Sequence, residues 1–133
     1  MARTQGDIAP ITTNITDGTS GTSGSFSFGS DTRAASLSVE VTGTAAATAK
    51  VDIFLQFSNG DFGTTGSGGT ADYPDPGNDT PWHVMLFDSA STTSNVGVIT
   101  APIPVEYLEF QVRIYNRTGA NITNVDFKVM EVS

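Results

Sequence analysis

The stretch from Tyr107 to Asn116, Tyr-Leu-Glu-Phe-Gln-Val-Arg-Ile-Tyr-Asn, constrains the fold more tightly than any other part of the chain. Leu108, Phe110, Val112 and Ile114 alternate strictly with Tyr107, Glu109, Gln111, Arg113 and Tyr115. That is the period of a β-strand with one buried face. Burying the first set gains roughly 1.5–3 kcal/mol per side chain. A slip of one residue would instead drive Glu109 and Arg113 into the core, at a cost on the order of several kcal/mol each. The register of this strand is therefore pinned by its own residues.

The same alternation recurs in shorter runs. Phe26 and Phe28 form one, and Leu37, Val39 and Val41 another. Val51, Ile53, Leu55 and Phe57 oppose Asp52, Phe54 and Gln56 in a second strong strand, and Val125, Phe127 and Val129 close the series. Trp82 to Phe87 and Val96 to Thr100 also have strand character, and Pro102 and Pro104 interrupt the ladder before Tyr107. Thr42 to Ala49 is too short and too rich in Thr for a stable helix and reads as a connection. Helix-forming charged residues are sparse, with only 15% of the chain charged. About eight short strands without a convincing helix predict an all-β, antiparallel β-sandwich, with jelly-roll and immunoglobulin-like topologies both open. The 133 residues suffice for one core without metal or disulfide support. Cysteine is absent.

Residues 1–23 read as an extended N-terminal arm and 24–133 as the sandwich domain. Ile8, Ile11 and Ile15 stand among Thr, Asn and Pro10 without clean alternation, and Asp17 to Gly24 has the composition of a flexible turn or linker. Ser58 to Thr80 is a long loop of Gly, Asp, Thr, Ser, Asn and Pro. Its length makes it the first place to look for a ligand surface.

A net charge of −8 and a pI near 4.2 argue against nucleic-acid binding, which draws on clustered Lys and Arg. No run is long and apolar enough for a membrane span, and nothing resembles a secretory leader, so synthesis in the cytoplasm is expected. His83 is the single histidine and has no distinctive triad partners. Asp72, Asp75 and Asp79 crowd the long loop, where they fit either oxygen ligation of Ca²⁺ or ordinary turn chemistry, and they lack an EF-hand spacing. No pair of carboxylates has the look of a glycosidase site. The expectation is a non-enzymatic chain without a cofactor. Sequons at Asn14, Asn78, Asn116 and Asn121 are what a Thr-rich chain produces by chance.

Phe54, Phe87, Tyr107 and Tyr115, joined by Met85 and Met130, fall on the face opposite the expected core of their strands. Soluble chains avoid exposing such a patch, so either the arm or a neighbouring subunit covers it, or the aromatics stack on sugar rings. Val51-Asp-Ile-Phe-Leu-Gln-Phe-Ser-Asn-Gly-Asp61, the Tyr107 to Gly119 segment and Val125-Asp-Phe-Lys-Val-Met-Glu-Val132 together resemble small β-sandwich virion proteins of tailed bacteriophages, most of all head-decoration (cement) proteins. The resemblance covers the C-terminal two-thirds of the chain. It implies a virion location, self-association with a trimer favoured, contact with the major capsid protein or other virion subunits, and stabilisation of the shell through inter-subunit contacts. The expected interface residues are Ile8, Ile11, Ile15, Phe54, Tyr107, Arg113 and Tyr115. The competing expectation is a carbohydrate- or receptor-binding module built on the long loop, with Asp72, Asp75, Asp79 and Trp82 as its site. A tail or neck position in the virion is a third.

Overall fold

The computed structural model describes residues 2–44, 50–58, 81–86 and 95–133. These form nine strands: β1 (Arg3–Ile11), β2 (Ser20–Thr22), β3 (Phe26–Ser27), β4 (Ala34–Gly43), β5 (Lys50–Ser58), β6 (His83–Leu86), β7 (Asn95–Ile103), β8 (Glu109–Arg117) and β9 (Ile122–Val132). One sheet runs β1-β9-β4-β7 and the other β2-β8-β5-β6, with β3 also on β8. All pairings are antiparallel. The long loop, with Asp72, Asp75 and Asp79, lies outside the described residues, as does Phe87.

The strand order decides between the two topologies. β2 and β3 are halves of one broken strand along β8, so the sandwich has eight strand positions. Among described neighbours only β5 and β6 are consecutive in sequence; the other connections cross between the sheets or skip a strand. That interleaving is the jelly-roll pattern, whereas an immunoglobulin sandwich pairs more consecutive strands.

The core is built from the predicted faces. Leu37, Val39 and Val41 on β4 and Val125, Phe127 and Val129 on β9 meet Val51, Ile53 and Leu55 on β5 and Phe110, Val112 and Ile114 on β8. The pairing of Ile53 with Ile114 and of Leu55 with Val112 keeps β5 and β8 in one register over nine residue pairs. Slipping it would bury charge along two strands at once.

The strand that opened the reading starts later than its alternation suggests. β8 begins at Glu109, and Leu108 is 62% exposed rather than in the core. Pro104 ends the extended run of β7, and the chain bends through Glu106 to Leu108 before it can enter the ladder. Leu108 still supplies a backbone carbonyl, which accepts from the Phe28 N–H at 3.0 Å.

The segment expected as an arm supplies strands to the sandwich. β1 pairs with β9 along most of its length, Ile15 bridges to Ile122, and β2 lies on β8. Residues 3–22 thus pass from the edge of one sheet to the edge of the other. Ile8 and Ile15 are buried in this chain's own core, and Ile11 packs against it. Two glycines permit the close approach: a Cβ at Gly6 would sit 2.5 Å from the Phe26 ring, and one at Gly21 2.7 Å from Ile15.

Candidate interface site

Phe110 anchors a cluster of rings at one end of the sandwich. Phe28 stacks on it at 5.3 Å between centroids, and Phe26 and Phe57 tilt against it at 5.7 and 6.2 Å. Tyr107 then stacks on Phe57 at 4.8 Å. Offset aromatic pairs of this kind contribute roughly 0.5–1.5 kcal/mol beyond their buried area. Tyr107 remains 42% exposed and Leu108 62%. The end of the sandwich therefore presents Tyr107, stacked on the aromatic cluster, with the exposed Leu108 next to it in the chain.

The outer face of β5 and β8 differs from what alternation alone implies. Phe54 and Gln56 point away from the inter-sheet core, yet both are fully buried, and Asp52 and Gln111 are nearly so. Phe54 is thus not an exposed contact residue. The Gln111 Nε2 donates to Gln56 Oε1 at 2.8 Å, while Gln56 Nε2 has no hydrogen-bond partner among the described residues. Asp52 accepts two bonds from Arg117, both at 2.6 Å. This bidentate pair raises the Arg117 guanidinium above its ordinary value, first through the hydrogen bonds, against a smaller opposing effect of burial. Arg113 is half-buried and its Nε donates to Ser20 Oγ at 3.0 Å, so it ties β2 to β8. Tyr115 is half-buried on the same face.

Met85 faces inward and joins the core, opposite Val51, rather than the outer patch. Trp82 packs against the core, donates from Nε1 to the Pro102 carbonyl at 3.3 Å and meets His83 edge-on at 4.4 Å. Its indole is engaged within the fold. Among the described residues no group of three or more His, Asp or Glu is placed to hold a metal ion.

The outer face of the other sheet is open. A depression of about 610 Å³ lies over it, lined by Asp7, Pro10, Glu40, Val98, Asp126 and Lys128 among others. Glu40 and Asp126 are exposed and directly opposite each other on β4 and β9, while Asp7 opposes Lys128. Like charges in register weaken the local pairing slightly, and Lys128 on the next position of that face moderates it.

Two anchors that sequence reading passed over hold the N-terminal segment in place. Asn116, fully buried, donates from Nδ2 to the carbonyls of Ile15 and Ala120 at 2.8 and 2.7 Å. Its Oδ1 accepts from the Thr118 N–H at 2.9 Å and the Thr118 hydroxyl at 2.7 Å. Its side chain is therefore closed to glycosylation. Ser23, between β2 and β3, donates its N–H to the Val112 carbonyl at 2.8 Å and accepts the Val112 N–H on Oγ at 2.9 Å. A serine hydroxyl here stands in for a ladder carbonyl where the strand breaks. The only sequence signal for either is a Ser or Asn beside Gly and Thr, which is also what any turn contains.

No family model matches the chain, and no curated protein does. Solved structures do match in shape. Murine APRIL aligns with a TM-score of 0.52 at 8% identity, over 98% of this chain and 100% of that one. A family GH115 4-O-methyl-α-glucuronidase, BtGH115A, aligns at 0.46 and 12%, over 86% of this chain, which spans 14% of the glucuronidase. The structure of infectious bursal disease virus, Gx strain, aligns at 0.41 and 9%, over 98% of this chain and 31% of that one. At such identities the likeness is one of fold alone, an all-β sandwich.

Proposed function

We propose that this chain is a non-enzymatic structural subunit of a tailed-phage virion, a capsid decoration protein that stabilises the head by association. In this reading it is made in the host cytoplasm and incorporated into the virion. Its partners are copies of itself and the major capsid protein, with no cofactor, nucleic acid or membrane involved. The observation that carries the proposal is the exposed Tyr107–Leu108 pair on its aromatic base. A tyrosine already stacked on Phe57 in the free chain has less freedom to lose when a partner covers it. Tyr115 and Arg113 extend the contact along β8. Ile8 and Ile15 belong to the fold of the subunit itself, so truncating residues 1–22 would test folding rather than contact.

The test is binding of the purified chain to heads assembled without it, followed by sedimentation and electron microscopy, with Leu108→Asp and Tyr107→Ala as variants. Burial of Leu108 at an interface is worth roughly 1.5–3 kcal/mol, so Leu108→Asp is expected to weaken binding by at least about tenfold. Unchanged decoration by both variants would remove the basis of the proposal. A glycan screen separates this reading from a sugar-binding module: affinity for sugars lost on Trp82→Ala would favour the module.

A further inference from the structure

The two edges of the β1-β9-β4-β7 sheet are not alike. β1 carries Arg3, Asp7 and Pro10, and its register breaks between Ile8 and Ile11. Charge, proline and a bulge are the devices that keep an edge strand from pairing with another chain. β7, the opposite edge, has none of them over its central residues. Asn95-Val-Gly-Val-Ile-Thr-Ala-Pro-Ile103 contains no charged side chain and pairs with β4 in continuous register from one end to the other. Among the described residues its other side pairs with no strand.

The side on which each backbone group points can be assigned. In an antiparallel pair, successive residues aim their N–H and C=O alternately toward and away from the neighbour. Pro102 stands opposite Ser36, lacks an N–H, and gives its carbonyl to Trp82. A proline fits a ladder only where its nitrogen faces away from the partner strand. Pro102 is therefore an outward-facing position, and by alternation so are Thr100 and Val98. Among the described residues, each of these two presents a donor and an acceptor at the sheet edge that no other strand takes up. Val98 is also 58% exposed, the largest exposure of any valine in the described chain.

We propose that β7 docks a second copy of this chain, paired antiparallel across a two-fold axis near Ile99. In that register Val98 and the partner's Thr100 exchange both backbone hydrogen bonds, and the symmetry-related pair does the same. Val98 lies beside the partner's Thr100 on the outer face and is covered. The charge balance selects a second copy with this register. Each chain carries −8, so copies meet at least cost along a strip without charge, and self-pairing of β7 sets no like charges opposite each other. Pairing β7 with the partner's β1 would set Asp7 and Pro10 against the edge and would propagate without closing. The β7 contact is separate from the Tyr107–Leu108 end and stands whether or not the chain decorates a virion.

Light scattering across a concentration series tests the contact with Val98→Lys, which places a charge at the edge, opposite Glu40, and leaves the backbone ladder to β4 in place, and with Val84→Lys as a control. Val84 is likewise exposed, at 46%, on edge strand β6. The wild type and Val84→Lys are expected to have twice the mass of Val98→Lys, with all three equally folded by circular dichroism. Association is expected to strengthen with salt, which screens the net charge. Hydrogen exchange at the Val98 and Thr100 amides should slow as the pair forms and stay fast in Val98→Lys. Equal masses for wild type and Val98→Lys would overturn the proposal. So would mass that grows without limit, or exchange at these two amides that is independent of concentration.

Discussion

Asn116 is the sharpest test of how this fold is held together. Its amide makes four hydrogen bonds at a site with no solvent exposure, linking β8 to Ile15 and to the turn at Thr118–Ala120. In Asn116→Ala all four are lost, but the consequences differ by partner. The Ile15 carbonyl keeps the Ile122 N–H at 2.9 Å, and the Ala120 carbonyl, 2.9 Å from the Thr118 hydroxyl, takes the proton which that hydroxyl gives to Asn116 Oδ1 in the wild type. Only the Thr118 N–H is left without an acceptor. At about 1 kcal/mol for each net bond, less what relaxation recovers, the expected cost is about 2–4 kcal/mol. That is a large part of the roughly 5–15 kcal/mol that holds a domain together. Urea unfolding should show the midpoint falling by about 1–2 M with an unchanged slope.

The companion substitution Asn116→Asp preserves shape and both acceptor roles while replacing the donor with an oxygen that faces two carbonyls. Burial and those carbonyls disfavour the ionised form, so the introduced carboxyl titrates above the value of about 3.9 it has in the unfolded chain. A folded pKa raised in this way favours the folded state least when the group is ionised. The penalty is therefore smallest below about pH 4 and grows as pH rises through the folded pKa. A cost for Asn116→Ala under about 1 kcal/mol, or Asn116→Asp as stable as wild type at neutral pH, would refute the role given to this side chain.

Ser23→Ala is expected to lose about 1–3 kcal/mol by chemical denaturation, because the buried Val112 N–H loses its acceptor. Ser23→Thr keeps the hydroxyl and should recover much of it. Gly6→Val should cost about 1–3 kcal/mol through collision with Phe26, and a coupled Phe26→Ala variant should relieve the clash in a double-mutant cycle. Arg117→Ala should destabilise more than Asp52→Asn in a thermal melt, since the first leaves a carboxylate that is 8% exposed without its partner, and the second frees a guanidinium that is 44% exposed.

What the sequence made legible was the inter-sheet core, because Phe110, Val112 and Ile114 and their counterparts on β4, β5 and β9 alternate with polar neighbours. Where alternation fails, so does the reading. Val84 and Met85 are adjacent apolar residues on a four-residue strand, which has no period from which to choose the inward one; Met85 takes the core and Val84 the surface. Phe54 and Gln56 show that a strand can be buried on both faces, and nothing local to β5 encodes a cover for its second face. Leu108 fits the alternation of β8 but is carried out of the ladder by the bend after Pro104. Ile8 and Ile15 looked like scattered residues of an arm, because their core role depends on β9, more than a hundred residues away. Asp17 to Gly24 has linker composition but forms β2, since Ser20 meets Arg113 and the Asp17 carboxylate accepts the Gly119 N–H at 2.9 Å. Of the candidate contact residues, Tyr107 is the one whose exposure was foreseen, while Asp72, Asp75 and Asp79 lie outside the described residues.

The pairing of β1 with β9 has a consequence for biosynthesis. Arg3 lies opposite Val132, so β1 has to wait for β9, made more than a hundred residues later, before it can enter this sheet. During translation β1, with Ile8, has no ladder partner until β9 has left the ribosome. Closing such distant contacts is slow, and the intervening chain presents open sheet edges for the whole interval. The charges and proline of β1 then serve a second purpose: they keep that strand soluble while its partner is still being made.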